Sequence, residues 1–172
     1  MISTADIAKW MHPWNHLFAH SKVVSGSVTG AHIIALMFAG GLAIAADRST
    51  LRAHTRDHAT RAHQVRELQA VHAPVLAGLG VLLVSGILLA LADVETFLPS
   101  PVFWLKLTLV TLLATNGLAV TLTERRLNAV TSDDGATSVE EALWSRMRRL
   151  AWTSATLWTA TAVVGIVLSN IS

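Results

Sequence analysis

The sequence predicts an all-α fold: an integral membrane four-helix bundle with an N-terminal interfacial helix. Two observations carry this reading. Of the 172 residues, 52% are hydrophobic and only 14% are charged, against about 25% charged in an ordinary soluble domain. The apolar residues also gather into four runs, and a helix needs about 20 such residues to cross a hydrocarbon core of about 30 Å. The same composition excludes intrinsic disorder. The absence of cysteine excludes disulfide scaffolds, thiol nucleophiles, iron–sulfur clusters and thiolate zinc sites.

The chain reads as a single membrane domain over 1–172, with an interfacial helix over about 5–21. Trp10, Trp14 and Phe18 recur there at i, i+4 and i+8, and Pro13 suits a first helical turn. Tryptophan favours the membrane–water boundary, so this segment is expected to lie along it. The first span, about 22–46, centres on Ile33, Ile34, Leu36, Met37 and Phe38. Ala43-Ile44-Ala45 resembles a signal-peptide cleavage site, but a signal h-region has only about 7–15 residues, so the span is expected to be retained. Spans two to four are placed at about 73–92, 102–123 and 150–169. None has Asp, Glu or Arg in its interior; His32 stands in the first and Lys106 in the third. The turn Ser132-Asp133-Asp134-Gly135 precedes Ser138-Val139-Glu140-Glu141, which fits a capping box. The fourth helix should therefore start before the membrane and run on through Trp144, Trp152 and Trp158. Gly26 and Gly30, Gly78 and Gly86, Thr156 and Ala160, and Ala155 and Thr159 offer small-residue faces for close helix packing.

Arginine gives direction. The 47–71 link carries Arg48, Arg52, Arg56, Arg61 and Arg66, and the 124–149 link carries Arg125, Arg126, Arg146, Arg148 and Arg149. The 93–101 link carries only Asp93 and Glu95. Basic links stay in the cytoplasm, which puts both termini outside a bacterial inner (plasma) membrane, with Lys9 and Lys22 mildly opposed. The pI near 9.7 reflects arginines suited to anionic lipid headgroups and calls for no nucleic-acid partner.

Candidate chemistry starts with His32. It lies near the middle of the first span, where an ionisable group faces the bundle interior and marks a site. Ser25 and Thr29 precede it at helical spacing, and Ala35, Ala39 and Gly40 leave room beside it. A neutral imidazole there suits haem iron or another metal, or a hydrogen bond to a neighbouring helix. Lys106 lies about 6 Å inside the third span. It either snorkels to the headgroups or pairs with a haem propionate. His32 and Lys106 differ in depth by about 9 Å on this count, and Lys22 is a further propionate partner. Asn116 should hydrogen-bond another helix. His72, before Pro74, reads as an interfacial histidine, too far from His32 to share one iron. His12, His16 and His20 recur every fourth residue, a spacing with which His16 and His20 can hold copper or zinc, or form a merely polar face. His54 and His58, with Asp57 between them, read as a solvated basic link.

Span one reads His32-Ile33-Ile34-Ala35-Leu36, then Gly40-Gly41 and Asp47-Arg48. Span two enters at Ala73-Pro74 and ends Ser85-Gly86-Ile87-Leu88-Leu89; span three reads Pro101-Val102-Phe103-Trp104-Leu105-Lys106, then Asn116. Over about residues 22–126 this resembles the small bacterial four-helix membrane proteins of the copper-resistance D-like group. It is also similar to the HemJ-type oxygen-independent protoporphyrinogen oxidase, a haem b protein with an intramembrane histidine and a Phe/Trp-x-x-Lys motif. The resemblance implies His32 as the haem ligand and Lys106 as the matching lysine.

The leading expectation is a haem b-binding membrane protein in electron transfer or a membrane-coupled oxidation, working with a redox partner or quinone. Ser25, Thr29 and Asn116 would line its pocket. The second is copper handling at His16 and His20. The third is a non-catalytic subunit, packed in an oligomer or a larger membrane complex.

Overall fold

The computed structural model describes residues 4–53, 58–130 and 137–170. Six helices follow in order: α1 (Thr4–His20), α2 (Lys22–Ala53), α3 (His58–Ala92), α4 (Val94–Phe97), α5 (Pro101–Val130) and α6 (Thr137–Ser169). There is no strand among the described residues. The expected all-α bundle is what forms. Helices α2, α3, α5 and α6 each contain a window long and apolar enough to cross a membrane, and the chain is a multi-pass membrane protein.

These helices exceed their apolar windows. α6 has 33 residues and is about 50 Å long at 1.5 Å per residue, well beyond a core of about 30 Å. The surplus lies at the arginine-rich end, where Leu68, Leu127, Trp144 and Met147 form a second core layer. The first layer, Ala39, Ala43, Leu113 and Trp158, lies deeper in the apolar region.

Packing is inverted relative to a soluble bundle. Large side chains such as Ile34, Met37, Phe38, Val84, Leu105 and Ile166 face outward, while Ala35, Ala39, Ser85, Asn116, Ser154 and Thr161 are buried. Lipid solvates apolar side chains as well as a core does, so close packing of small residues holds the helices together. Contact is most extensive between α2 and α3 and between α5 and α6; the two pairs join mainly through α2 and α6, and more thinly through α3 and α5. The outward threonines return their hydroxyl protons to the helix: Thr108 to the Trp104 carbonyl at 2.9 Å, Thr115 to Thr111 at 2.8 Å and Thr159 to Ala155 at 2.9 Å. Those hydroxyls need no water.

The ends are fixed by side chains. Pro101 opens α5, where its missing N–H is no loss. Asp93 caps the single-turn α4 by accepting from the Thr96 N–H at 3.3 Å. α1 crosses the opposite end from the arginines: Trp14 Nε1 donates to the Leu88 carbonyl at 2.9 Å, and Asn15 Nδ2 to the Ala92 carbonyl at 2.7 Å. The latter carbonyl ends α3 and has no helical partner.

Three expectations change in detail. Pro13 lies inside α1, not in its first turn. It and Lys9 are exposed, so water can satisfy the Lys9 carbonyl that Pro13 cannot serve. α6 starts at Thr137, which puts Ser138 inside the first turn rather than at the cap, with Glu140 turned inward. Gly26 and Gly30 serve no packing within the chain, since added Cβ atoms would meet nothing within 4 Å. The close crossing is at Gly78, where a Cβ would lie 2.6 Å from the Ala39 Cβ. The Ser132–Gly135 turn and the residues His54 and Asp57 lie outside the described residues.

Gly78→Ala should therefore force α2 and α3 apart and destabilise the protein by about 1–3 kcal/mol. Gly26→Ala should change stability by less than about 0.5 kcal/mol. Thermal unfolding in mild detergent, monitored by helix content, checks both.

Candidate functional site

Two groups of polar side chains lie between the long helices. The first is built on His32 of α2. Its Nδ1 lies 2.9 Å from Ser85 Oγ on α3. The single hydroxyl proton of Ser85 goes to the Val81 carbonyl at 2.5 Å, so Oγ accepts and His32 Nδ1 donates. The Leu82 carbonyl also approaches the ring. Among the described residues no side chain hydrogen-bonds Nε2. The ring rests on Gly86, where a Cβ would lie 3.4 Å from His32 Cε1. Any larger residue at that position would press on the imidazole.

Lys106 of α5 comes to the same layer. Its Nζ lies 3.4 Å from where a Cβ of Gly165 on α6 would stand, and it is within Coulombic range of His32. It is half-buried and meets no carboxylate among the described residues. One turn before Gly165 on the same face, Thr161 is 5% exposed, and its Oγ1 has no hydrogen-bond partner. The layer thus offers an imidazole nitrogen, an ammonium and a hydroxyl, none with a side-chain partner among the described residues.

The remaining expected residues lie apart from this layer or at its edge. Ser25 is half-buried and donates to the Ser21 carbonyl at 3.2 Å. Thr29 and Lys22 are exposed. Asn116 is buried, donates to the Leu150 carbonyl of α6 at 3.2 Å, and lies about 15 Å along α5 from Lys106. His16 and His20 stack with ring centroids 4.1 Å apart, and His20 Nδ1 donates to the His16 carbonyl at 2.9 Å. Both are exposed on α1. No group of three His, Cys, Asp or Glu able to hold a metal occurs among the described residues.

The second group lies at the arginine-rich end. His72 of α3, expected to be an interfacial histidine, pairs with Glu124 of α5, Nδ1 to Oε2 at 2.7 Å. Asp47 of α2 is hydrogen-bonded by Ser154 of α6, and both line a cavity with His72. Sequence reasoning stopped the first span at 46 and the third at 123, and so passed over both carboxylates. The signal was in the spacing: Ala39, Ala43 and Asp47 continue one inward face at i+4, as do Asn116, Val120 and Glu124.

No family model matches the chain, and no curated protein or solved structure matches it.

The Ser85 contact dictates a tautomer. Nitrogen-15 NMR of histidine-labelled protein should find the His32 proton on Nδ1. Ser85→Ala should mix the tautomers, while a proton on Nε2 in the unmodified protein would contradict the geometry.

Proposed function

We propose that this chain is a haem b-binding membrane protein of a bacterial inner membrane, serving electron transfer or a membrane-coupled oxidation. The observation that carries the reading is His32: an imidazole between the helices, its Nδ1 held by Ser85 and its Nε2 met by no side chain among the described residues. A hydrogen bond on the far nitrogen is what fixes and strengthens a histidine ligand. The residues present fit the group. His32 would supply a nitrogen ligand, and Lys106 would supply a cation for a carboxylate. Thr161 Oγ1 is a buried polar atom without a partner. Bound there, a b-type haem supplies one-electron redox chemistry.

Each residue has a separate task. Ser85 orients the ring by accepting from Nδ1. Gly86 keeps the α3 face open beside it. Lys106 would bind a propionate and, as a half-buried ammonium, would gain more from that partner than an exposed lysine does. His72 lies about 20 Å along α3 from Ser85 and is engaged by Glu124, so it serves no iron held by His32.

Orientation follows from charge. Arg48, Arg52, Arg125, Arg126, Arg146, Arg148 and Arg149 are all exposed at one end of the bundle. That end faces the cytoplasm, by the bias of basic residues, which leaves α1 and both termini outside.

His32→Ala should abolish bound haem, measured as haem and iron per purified chain from haem-supplied cells. His16→Ala should leave it unchanged. Lys106→Ala should weaken haem retention about tenfold, the loss of one charge-assisted contact of about 1.4 kcal/mol. Full haem content in the His32 variant would refute the ligand.

A further inference from the structure

The cavity at the arginine-rich end belongs to no part of the His32 layer. It measures about 70 Å³ and has apolar walls that include Leu113, Met147 and Trp158. A liquid water takes about 30 Å³, so the space suits about two waters if polar groups hold them. Such groups are present: Asp47 and Thr50 from α2, His72 from α3 and Ser154 from α6.

Their hydrogen bonds are unevenly filled. Thr50 Oγ1 donates to the Ala46 carbonyl at 2.9 Å. His72 gives Nδ1 to Glu124. Ser154 serves the Asp47 carboxyl. Asp47 Oδ2 is buried and has no protein partner. A polar atom left so in a polar cavity is a place for water.

Charge is also unbalanced. A protonated His72 neutralises Glu124. Among the described residues no cation faces Asp47 in turn: Arg48 and Arg52 on its own helix, Arg125 and Arg126 on α5, and Arg146, Arg148 and Arg149 on α6 are exposed at the surface. Ser154, its partner on α6, is neutral. A buried ionised carboxylate without a counter-charge is costly, and such a group is neutralised instead.

We propose that this cavity holds water and that Asp47 takes up one proton through it, forming with His72 and Glu124 a proton-binding site inside the bundle. A proton passes from hydronium in the cavity to Asp47 Oδ2, an O–H bond forming there as one breaks on the water. No electron moves, and the net charge of the three groups rises from −1 to zero when His72 is protonated and Glu124 ionised. The site does not depend on the haem reading.

Dicyclohexylcarbodiimide tests this on the full-length protein in mild detergent. The reagent is apolar and reacts with a protonated carboxyl: the acid proton goes to its nitrogen and the carboxyl oxygen to its central carbon. Peptide mass spectrometry then locates the adduct. Modification is expected at Asp47, falling about tenfold per pH unit above its midpoint, as a one-proton equilibrium requires. Asp47→Asn should lose the adduct. No adduct at Asp47 in the folded protein would overturn the proposal. So would an adduct at Glu124 in its place, or protection by sodium ions at constant pH, which would make a metal cation the occupant.

Discussion

A hydrocarbon core offers no hydrogen bonds, and that constraint orders this molecule. Every polar atom placed between or on the spanning helices must find a partner inside the protein. Most do. Threonines such as Thr108 of α5 and Thr159 of α6 bond back to their own helix. Asn116 reaches the α6 backbone, and His32 reaches Ser85. Against that background, the few groups without a partner stand out. Among the described residues they include Thr161 Oγ1 and Asp47 Oδ2, with the Lys106 ammonium and the second nitrogen of His32. They fall into two places, one around His32 and one at the arginine-rich end.

Glycine sets the shape of both the bundle and the first of these places. Gly78 lets α2 and α3 cross in contact at Ala39, and Gly40 receives the ring of Trp158, whose Cε3 lies 3.2 Å from where a Cβ would stand. Gly86 and Gly165 do the same for His32 and Lys106. The helices thus come close where nothing polar intervenes, and stand back by one side chain where a polar group is seated. The long extensions of α3, α5 and α6 add a second core layer around Leu68, Leu127, Trp144 and Met147. The Asp47 cavity lies between the two layers, lined by Leu68 and Met147 of one and by Ala43, Leu113 and Trp158 of the other.

The four spans were legible because each needs only length and hydropathy, and both survive in a linear sequence. His32 and Lys106 stand out for the opposite reason: an ionisable residue in an apolar run is costly there. Helix faces were harder. Gly26 and Gly30 have the spacing of a packing motif yet meet nothing, because spacing names a face without naming its neighbour. Thr29 follows the same periodicity as His32 but is exposed, since one turn of drift moves a residue off the inward stripe. Asp47 and Glu124 were missed because a hydropathy boundary excludes charged residues by construction, whereas the helix continues past it. The pairing of His72 with Glu124 joins residues on α3 and α5, and only the fold brings them together.

The most direct test of the central assignment, haem held by His32, is the visible spectrum of the purified protein. It should be recorded as isolated and after dithionite reduction. The account predicts a Soret band and sharp reduced α and β bands of a b-type haem. A featureless visible spectrum from folded protein made in haem-supplied cells would contradict it.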